Sequence, residues 1–236
     1  MPSKTKQTTR SHKTASNPRR RRGSRPLVRK GLAEAQPRTS IVQELVLQAL
    51  ETELGGVKVY AAALDCIEDP ALHAEWTKYH KQTQHHVEVV EALCMKLGID
   101  ATEETPGRLV VRHLGESLLA AMEMAREAGD EADAQVVAAE CVTLAETKDH
   151  ANWSLLSELA GAGFGWAAAI REACDEVEDE EDEHLYHTMG WTRELWIDCL
   201  GLPAALPPPE ERKHVKSMAQ AAKAKGQRKA FTSKKR

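Results

Sequence analysis

Glu181-Asp-Glu-His184 places a carboxylate and an imidazole three residues apart. On a helix that spacing puts both groups on one face, where they can share a metal ion. The same anomaly, an acid or histidine inside an apolar stripe at helical spacing, occurs in four stretches of the chain. In the first, Glu53 is the only charge among Val42, Val46, Ala49, Leu50, Val57, Tyr60 and Leu64. In the second, Gln82 and His86 interrupt Leu72, Trp76, Tyr79, Val90, Leu93 and Leu97. In the third, Glu146 and His150 fall among Ala139, Val142 and Trp153. In the fourth, His184 lies among Trp166, Ile170, Ala173, Val177, Thr188, Trp191, Leu195 and Cys199, with Glu180 and Glu181 one turn earlier. A buried ionised carboxylate without a partner costs several kcal/mol or gives up its charge, so these residues require partners. Carboxylates and imidazoles together suit iron or manganese, and a set without thiolates argues against structural zinc.

The elements that would carry these residues are helices. Alanine, leucine and glutamate dominate the middle of the chain, while glycine and proline sit mainly at its breaks, a distribution that favours helix over sheet. A first helix is expected from Thr39 or Ser40, a plausible N-cap, to Ile67, where Glu68-Asp69-Pro70 breaks it. A second runs over 70–97 and stops at Gly98. After a loop over 99–107, a shorter helix covers 108–128 up to Gly129-Asp130. Long helices follow over 131–160 and 166–200, separated by Gly161-Ala-Gly-Phe-Gly165 and closed by Gly201 and Pro203. Short turns make two antiparallel hairpins of the four long helices, and the 108–128 helix lies in the connection between them. Val137, Cys141, Leu144 and Leu155 give the fourth helix a second apolar face, which that connecting helix would cover.

Height is an independent test. Residues equidistant from a hairpin turn sit side by side. With the first turn near 68–69, Glu53 lies about 15 residues before it, and Gln82 and His86 about 13 and 17 after. With the second near 163, Glu146 lies about 17 before and Glu181 about 18 after. Both hairpins therefore bring their odd polar residues to one level. The candidate ligands are Glu53, His86, Glu146, Glu181 and His184, with Gln82 and His150 peripheral.

Glu53-Leu-Gly-Gly-Val-Lys-Val-Tyr60 resembles the first helix of bacterioferritins and rubrerythrins, and Glu146 with Trp153 repeats its seven-residue spacing. Asp-Glu-Glu-Asp-Glu-His184 resembles the closing Glu-x-x-His helix of the same ferritin-like superfamily. The resemblance covers about 160 residues on short motifs and points to a bacterial branch outside the ferritins proper. It implies an all-α, ferritin-like four-helix bundle, here with an extra helix in the crossover. It also implies a mono- or dinuclear iron or manganese centre and a role in oxidative stress or iron handling, in which iron would react with O₂ or peroxide. The second helix departs from the family pattern: Gln82-Thr-Gln-His85-His86 offers Gln or Thr where a Glu is expected. Distance from Gly98 favours His85 as its histidine and the apolar stripe favours His86; we take His86. With one carboxylate missing, a single metal compensated by Gln82 or His150 and a vestigial site both remain open.

Charge divides the chain into three parts. Of 32 Lys/Arg, 21 lie in residues 1–31 and 212–236, which hold no acid; residues 32–211 keep 11 against all 36 acids, a net of −25. We therefore expect a disordered basic tail over 1–38, the helical bundle over 39–202, and a proline spacer with a second basic tail over 203–236. The tails would contact DNA or RNA phosphates without reading sequence, through Arg19, Arg20, Arg21, Arg22, Lys223, Lys225, Arg228 and Lys229. They would also pair with the acidic middle of another copy, favouring a homo-oligomer. The acid-free N-terminus fits an organellar transit peptide as a minor reading. Five cysteines without CxxC spacing fit reduced thiols in a cytoplasm. No apolar run approaches the length of a membrane span, about 20 residues. The expected location is cytoplasmic, with nucleoid association through the tails. The competing reading is a non-enzymatic helical module that has lost its metal and acts through nucleic-acid binding or oligomerisation.

Overall fold

The computed structural model describes residues 39–129 and 131–202. The expected tails, with their arginines and lysines for nucleic acid, lie outside the described residues. The order is α1 (Thr39–Leu64), α2 (Pro70–Leu97), α3 (Pro106–Ala128), α4 (Glu131–Gly161) and α5 (Ala167–Cys199), and the described residues hold no strand. None of these helices is long and apolar enough to cross a membrane.

Local chemistry sets the boundaries. Asp69 caps α2 by accepting from the backbone N–H groups of Ala71 and Leu72 at 2.8 and 3.0 Å, with Pro70 at the position that needs no donor. Gly98 ends it with φ 70°, a conformation costly for other residues, and returns its N–H to Met95 O at 3.2 Å. Thr105 caps α3 two residues earlier than the sequence suggests, because Pro106 and Gly107 fit its first turn. By contrast, α1 stops at Leu64 rather than Ile67. Its last turn tightens there, with Cys66 N–H bonded to Ala63 O at 2.9 Å.

Four helices pack as a ring in the order α1, α2, α5, α4, and α3 lies outside it against α1 and α4. Two apolar clusters fill the ring. One joins Val59, Tyr60 and Ala63 of α1 to Leu72, Trp76 and Tyr79 of α2, Ala139 and Val142 of α4, and Trp191 and Leu195 of α5. The other joins Val46 and Leu50 to Val90 and Leu93, Trp153 and Leu156, and Ile170 and Val177. Each helix thus contributes one end to each cluster, and ring neighbours run antiparallel. The segment left between the clusters holds Glu53 on α1, His86 on α2, Glu146 and Asp149 on α4, and Glu181 and His184 on α5, all buried. A polar layer crosses the middle of an apolar core.

The outer helix is held by charge as well as by apolar contact. Arg108 donates Nε to Glu51 at 2.7 Å, and Arg112 donates Nε and Nη2 to the same carboxylate at 2.7 and 3.0 Å. Leu118 and Met122 of α3 reach the first cluster, and Cys141 donates Sγ–H to Leu118 O at 3.6 Å. Coverage of the second apolar face of α4 is therefore partial, and Leu144 and Leu155 stay exposed.

Candidate metal centre

His86 and His184 have no exposed surface, whereas His85 is exposed and pairs with Glu176 at 2.9 Å. Each buried imidazole is held from outside. His86 Nε2 lies 3.0 Å from Glu180 Oε2, and His184 Nε2 lies 3.1 Å from Gln82 Oε1. These oxygens are acceptors. At His184 this places the proton of the neutral ring on Nε2 and turns the Nδ1 lone pair inward, whereas at His86 the Glu181 carboxylate, 2.7 Å from Nδ1, competes with Glu180 for the proton. Outer partners of this kind orient metal-binding histidines.

Burial lowers the pKa of His86, and burial with the neighbouring His86 lowers that of His184 further, which keeps both rings neutral. Around the two Nδ1 atoms stand carboxylates. His86 Nδ1 is 2.7 Å from Glu181 Oε1 and 3.8 Å from Glu53 Oε1. His184 Nδ1 is 3.8 Å from Glu146 Oε2 and from Glu181 Oε1. Two trios of ligand atoms, each within 4.8 Å of one another, result: His86, Glu181 and His184, and Glu53, Asp149 and Glu181. Glu181 belongs to both.

Four acids in one dry layer repel one another. Burial raises Glu53 well above the usual carboxylate range, and Asp149 and Glu181 push it further. Burial and Glu181 do the same to Asp149, and burial and Glu146 to Glu181. Burial, then Asp149, lifts Glu146 to about 8. Among the described residues no lysine or arginine forms an ion pair with these four acids; Lys148, bonded to Asn152, lowers Asp149 only from a distance. Trp153 donates Nε1–H to Glu53 Oε1 at 2.8 Å, and the Tyr60 phenol lies against Glu146.

With every carboxyl ionised, Glu53 Oε2, Glu146 Oε2, both oxygens of Glu181, and Nδ1 of both histidines make no hydrogen bond of good geometry, although His86 Nδ1 and Glu181 Oε1 stand 2.7 Å apart. So many convergent lone pairs without donors are rare in a folded interior. Such a set could hold a cation. Oxygen and nitrogen donors fit iron or manganese, and none of the five cysteines belongs to either trio.

Of the residues singled out in the sequence, Glu53, His86, Glu146, Glu181 and His184 converge in this layer. Gln82 and His150 do not. Gln82 holds the outer nitrogen of His184, and His150 sits at the α4/α5 surface with Nε2 3.1 Å from Asp182 Oδ1. Both therefore sit at the edge of the layer rather than among its inward-facing atoms. The inward position on α4 is Asp149, three residues after Glu146, the same i, i+3 relation as Glu181 and His184. Its signal was present in Glu146-Thr-Lys-Asp149, one residue from His150, but a helix with two apolar faces does not single out one inward stripe. In α2 the position three residues before His86 is Thr83, which donates Oγ1–H to Tyr79 O at 3.0 Å and packs its methyl where Gly56 has no side chain. Cys199, expected on the apolar stripe of α5, is exposed because it ends the helix beyond the last cluster.

A second polar group adjoins the layer. The Tyr79 ring lies 4.4 Å from that of His184, and its hydroxyl donates to Glu75 at 2.9 Å. Glu75 also faces His187 Nδ1 at 3.2 Å and accepts from Trp191 Nε1–H at 3.1 Å. Burial acts to raise Glu75, but His187 first among these partners brings it below the usual carboxylate range. This acid is satisfied. No family model, no curated protein and no solved structure matches the chain, so the chemistry of this layer is read from its own geometry.

Proposed function

We propose that this chain is a ferritin-like metal-binding protein whose polar layer holds two divalent ions, iron or manganese. The observation that carries the reading is Glu181, a buried carboxylate common to two ligand trios. Charge supports two ions over one. Four carboxylates with two neutral imidazoles carry four negative charges, which two divalent cations cancel and one leaves half uncompensated. In this reading Asp149 takes the place of the carboxylate that α2 lacks. Glu53 and Asp149 would serve one ion, His86 and His184 the other, Glu181 would bridge them, and Glu146 would complete the set. Glu180 and Gln82 orient the imidazoles from outside.

Iron bound by such donors supplies one-electron chemistry with O₂ or peroxide, the basis of an iron-handling or oxidative-stress role. The chain's own contribution is a dry, rigid, donor-poor cradle with aromatic walls from Tyr60, Tyr79 and Trp153.

The test is elemental analysis of protein from iron-supplemented culture. About two ions per chain are expected, falling to less than one in a Glu53→Ala, Glu146→Ala double variant. Wild-type protein that holds well below one ion per chain, in an amount the double change leaves unaltered, would count against the proposal and favour a helical module without a working site.

A further inference from the structure

A buried centre needs a way in, and one face of the bundle offers it. Between α4 and α5 a cavity of about 230 Å³ opens to solvent and is floored by Glu181 and Trp153, the residue that bonds Glu53. At about 30 Å³ per water it has room for a cation with six inner waters.

Its acids descend in exposure. Glu158 and Glu178 are exposed at the rim, Asp182 is 25 % exposed midway, and Glu181 is 2 % exposed at the bottom. Glu178, Glu181 and Asp182 share one face of α5 by their three- and four-residue spacing. His150 reaches across the mouth from α4 to Asp182 at 3.1 Å, so one side-chain pair spans the opening. The cavity is more than an acidic surface, because a nearly fully buried carboxylate, neither of whose oxygens makes a hydrogen bond of good geometry, lines its inner end.

We propose that divalent cations reach the centre through this α4/α5 cleft, drawn in by Glu178 and passed by Asp182 to Glu181. The inference rests on the metal reading above. The wider walls are apolar or neutral, Trp153 and Cys174 among them, so field lines from the acids are focused along the cleft. Focusing of this kind changes association rates more than final affinity.

The α2/α5 side offers a contrast. There Glu180 is engaged by His86 at 3.0 Å, so an ion entering that way would have to displace the group that orients a ligand.

The experiment mixes the metal-free full chain with Co²⁺ in a stopped flow and follows its d–d absorption, with metal content measured at the end point. Glu178→Gln with Asp182→Asn should slow loading about tenfold and flatten its dependence on ionic strength, while the final stoichiometry holds. Ser154→Trp, which narrows the rim without changing charge, should also slow it. Unchanged rates in both variants at full stoichiometry would overturn the route, as would slowing confined to Glu180→Gln. Wild-type protein that takes up no Co²⁺ would instead overturn the metal reading and the route with it.

Discussion

Glu51 and Glu53 are two residues apart on α1, both buried, and opposite in every electrostatic respect. Glu51 faces α3 and accepts from Arg108 and Arg112. Burial acts to raise its pKa, but the two guanidiniums outweigh burial and the net shift is downward. Glu53 faces the ring interior, meets Asp149 and Glu181, and is raised well above its ordinary value by burial and those acids. Burial alone therefore says little about what a carboxylate is for. Glu51 is complete within its own chain and fixes α3 to α1. Glu53 and its neighbours face one another instead, and in the proposed reading a cation would relieve their repulsion.

The difference is largest in stability. Arg108→Ala leaves Glu51 with only the partly exposed Arg112, and should destabilise the protein by about 3 kcal/mol, read by denaturant unfolding. A loss below about 1 kcal/mol would place Glu51 among ordinary surface ion pairs. Glu53→Gln should act in the opposite direction in metal-free protein. Removing one of four mutually repelling acids should stabilise it by about 2 kcal/mol, while metal content falls. A destabilised metal-free Glu53→Gln would mean that the layer is satisfied by its own hydrogen bonds.

A smaller effect follows from pH. The folded-state pKa of Glu146, about 8, lies above its ordinary value of 4.5. The folded state therefore binds a proton that the unfolded state lacks, and metal-free stability falls as pH rises through that value. His86 and His184, with lowered pKa values, oppose this below their ordinary 6.5, and their contribution is nearly spent above pH 7. Between about pH 7 and 8 Glu146 alone should cost the metal-free protein about 1 kcal/mol, with Glu53, Asp149 and Glu181, also raised, adding in the same direction. The metal-loaded protein should show no such loss, because its carboxylates are already ionised. Equal slopes in the two forms would remove the contrast between Glu51 and Glu53.

Much of this was legible in the sequence for physical reasons. Asp69-Pro70, Gly98 and Gly129 act on their own backbone, so they mark helix ends without tertiary help. Glu53, His86, Glu181 and His184 stand out because each breaks a one-sided apolar stripe, and distance from the turns fixes their common height. Asp149 was hidden because α4 is apolar on two sides and Asp149 and His150 are equally good candidates by spacing. Only the packing of α5 against α4 decides between them: it takes His150 outward to Asp182 and leaves Asp149 against Glu181. The role of Gln82 was hidden in the same way, since a residue that holds the far side of a histidine has no periodicity of its own.

The most direct measurement is anomalous scattering from crystals of the full chain grown with Mn²⁺. The account predicts two peaks inside the ring, one on either side of the Glu181 carboxylate and both within coordination reach of it. A single peak on the exposed acidic face of α5, or none near Glu181, would contradict it.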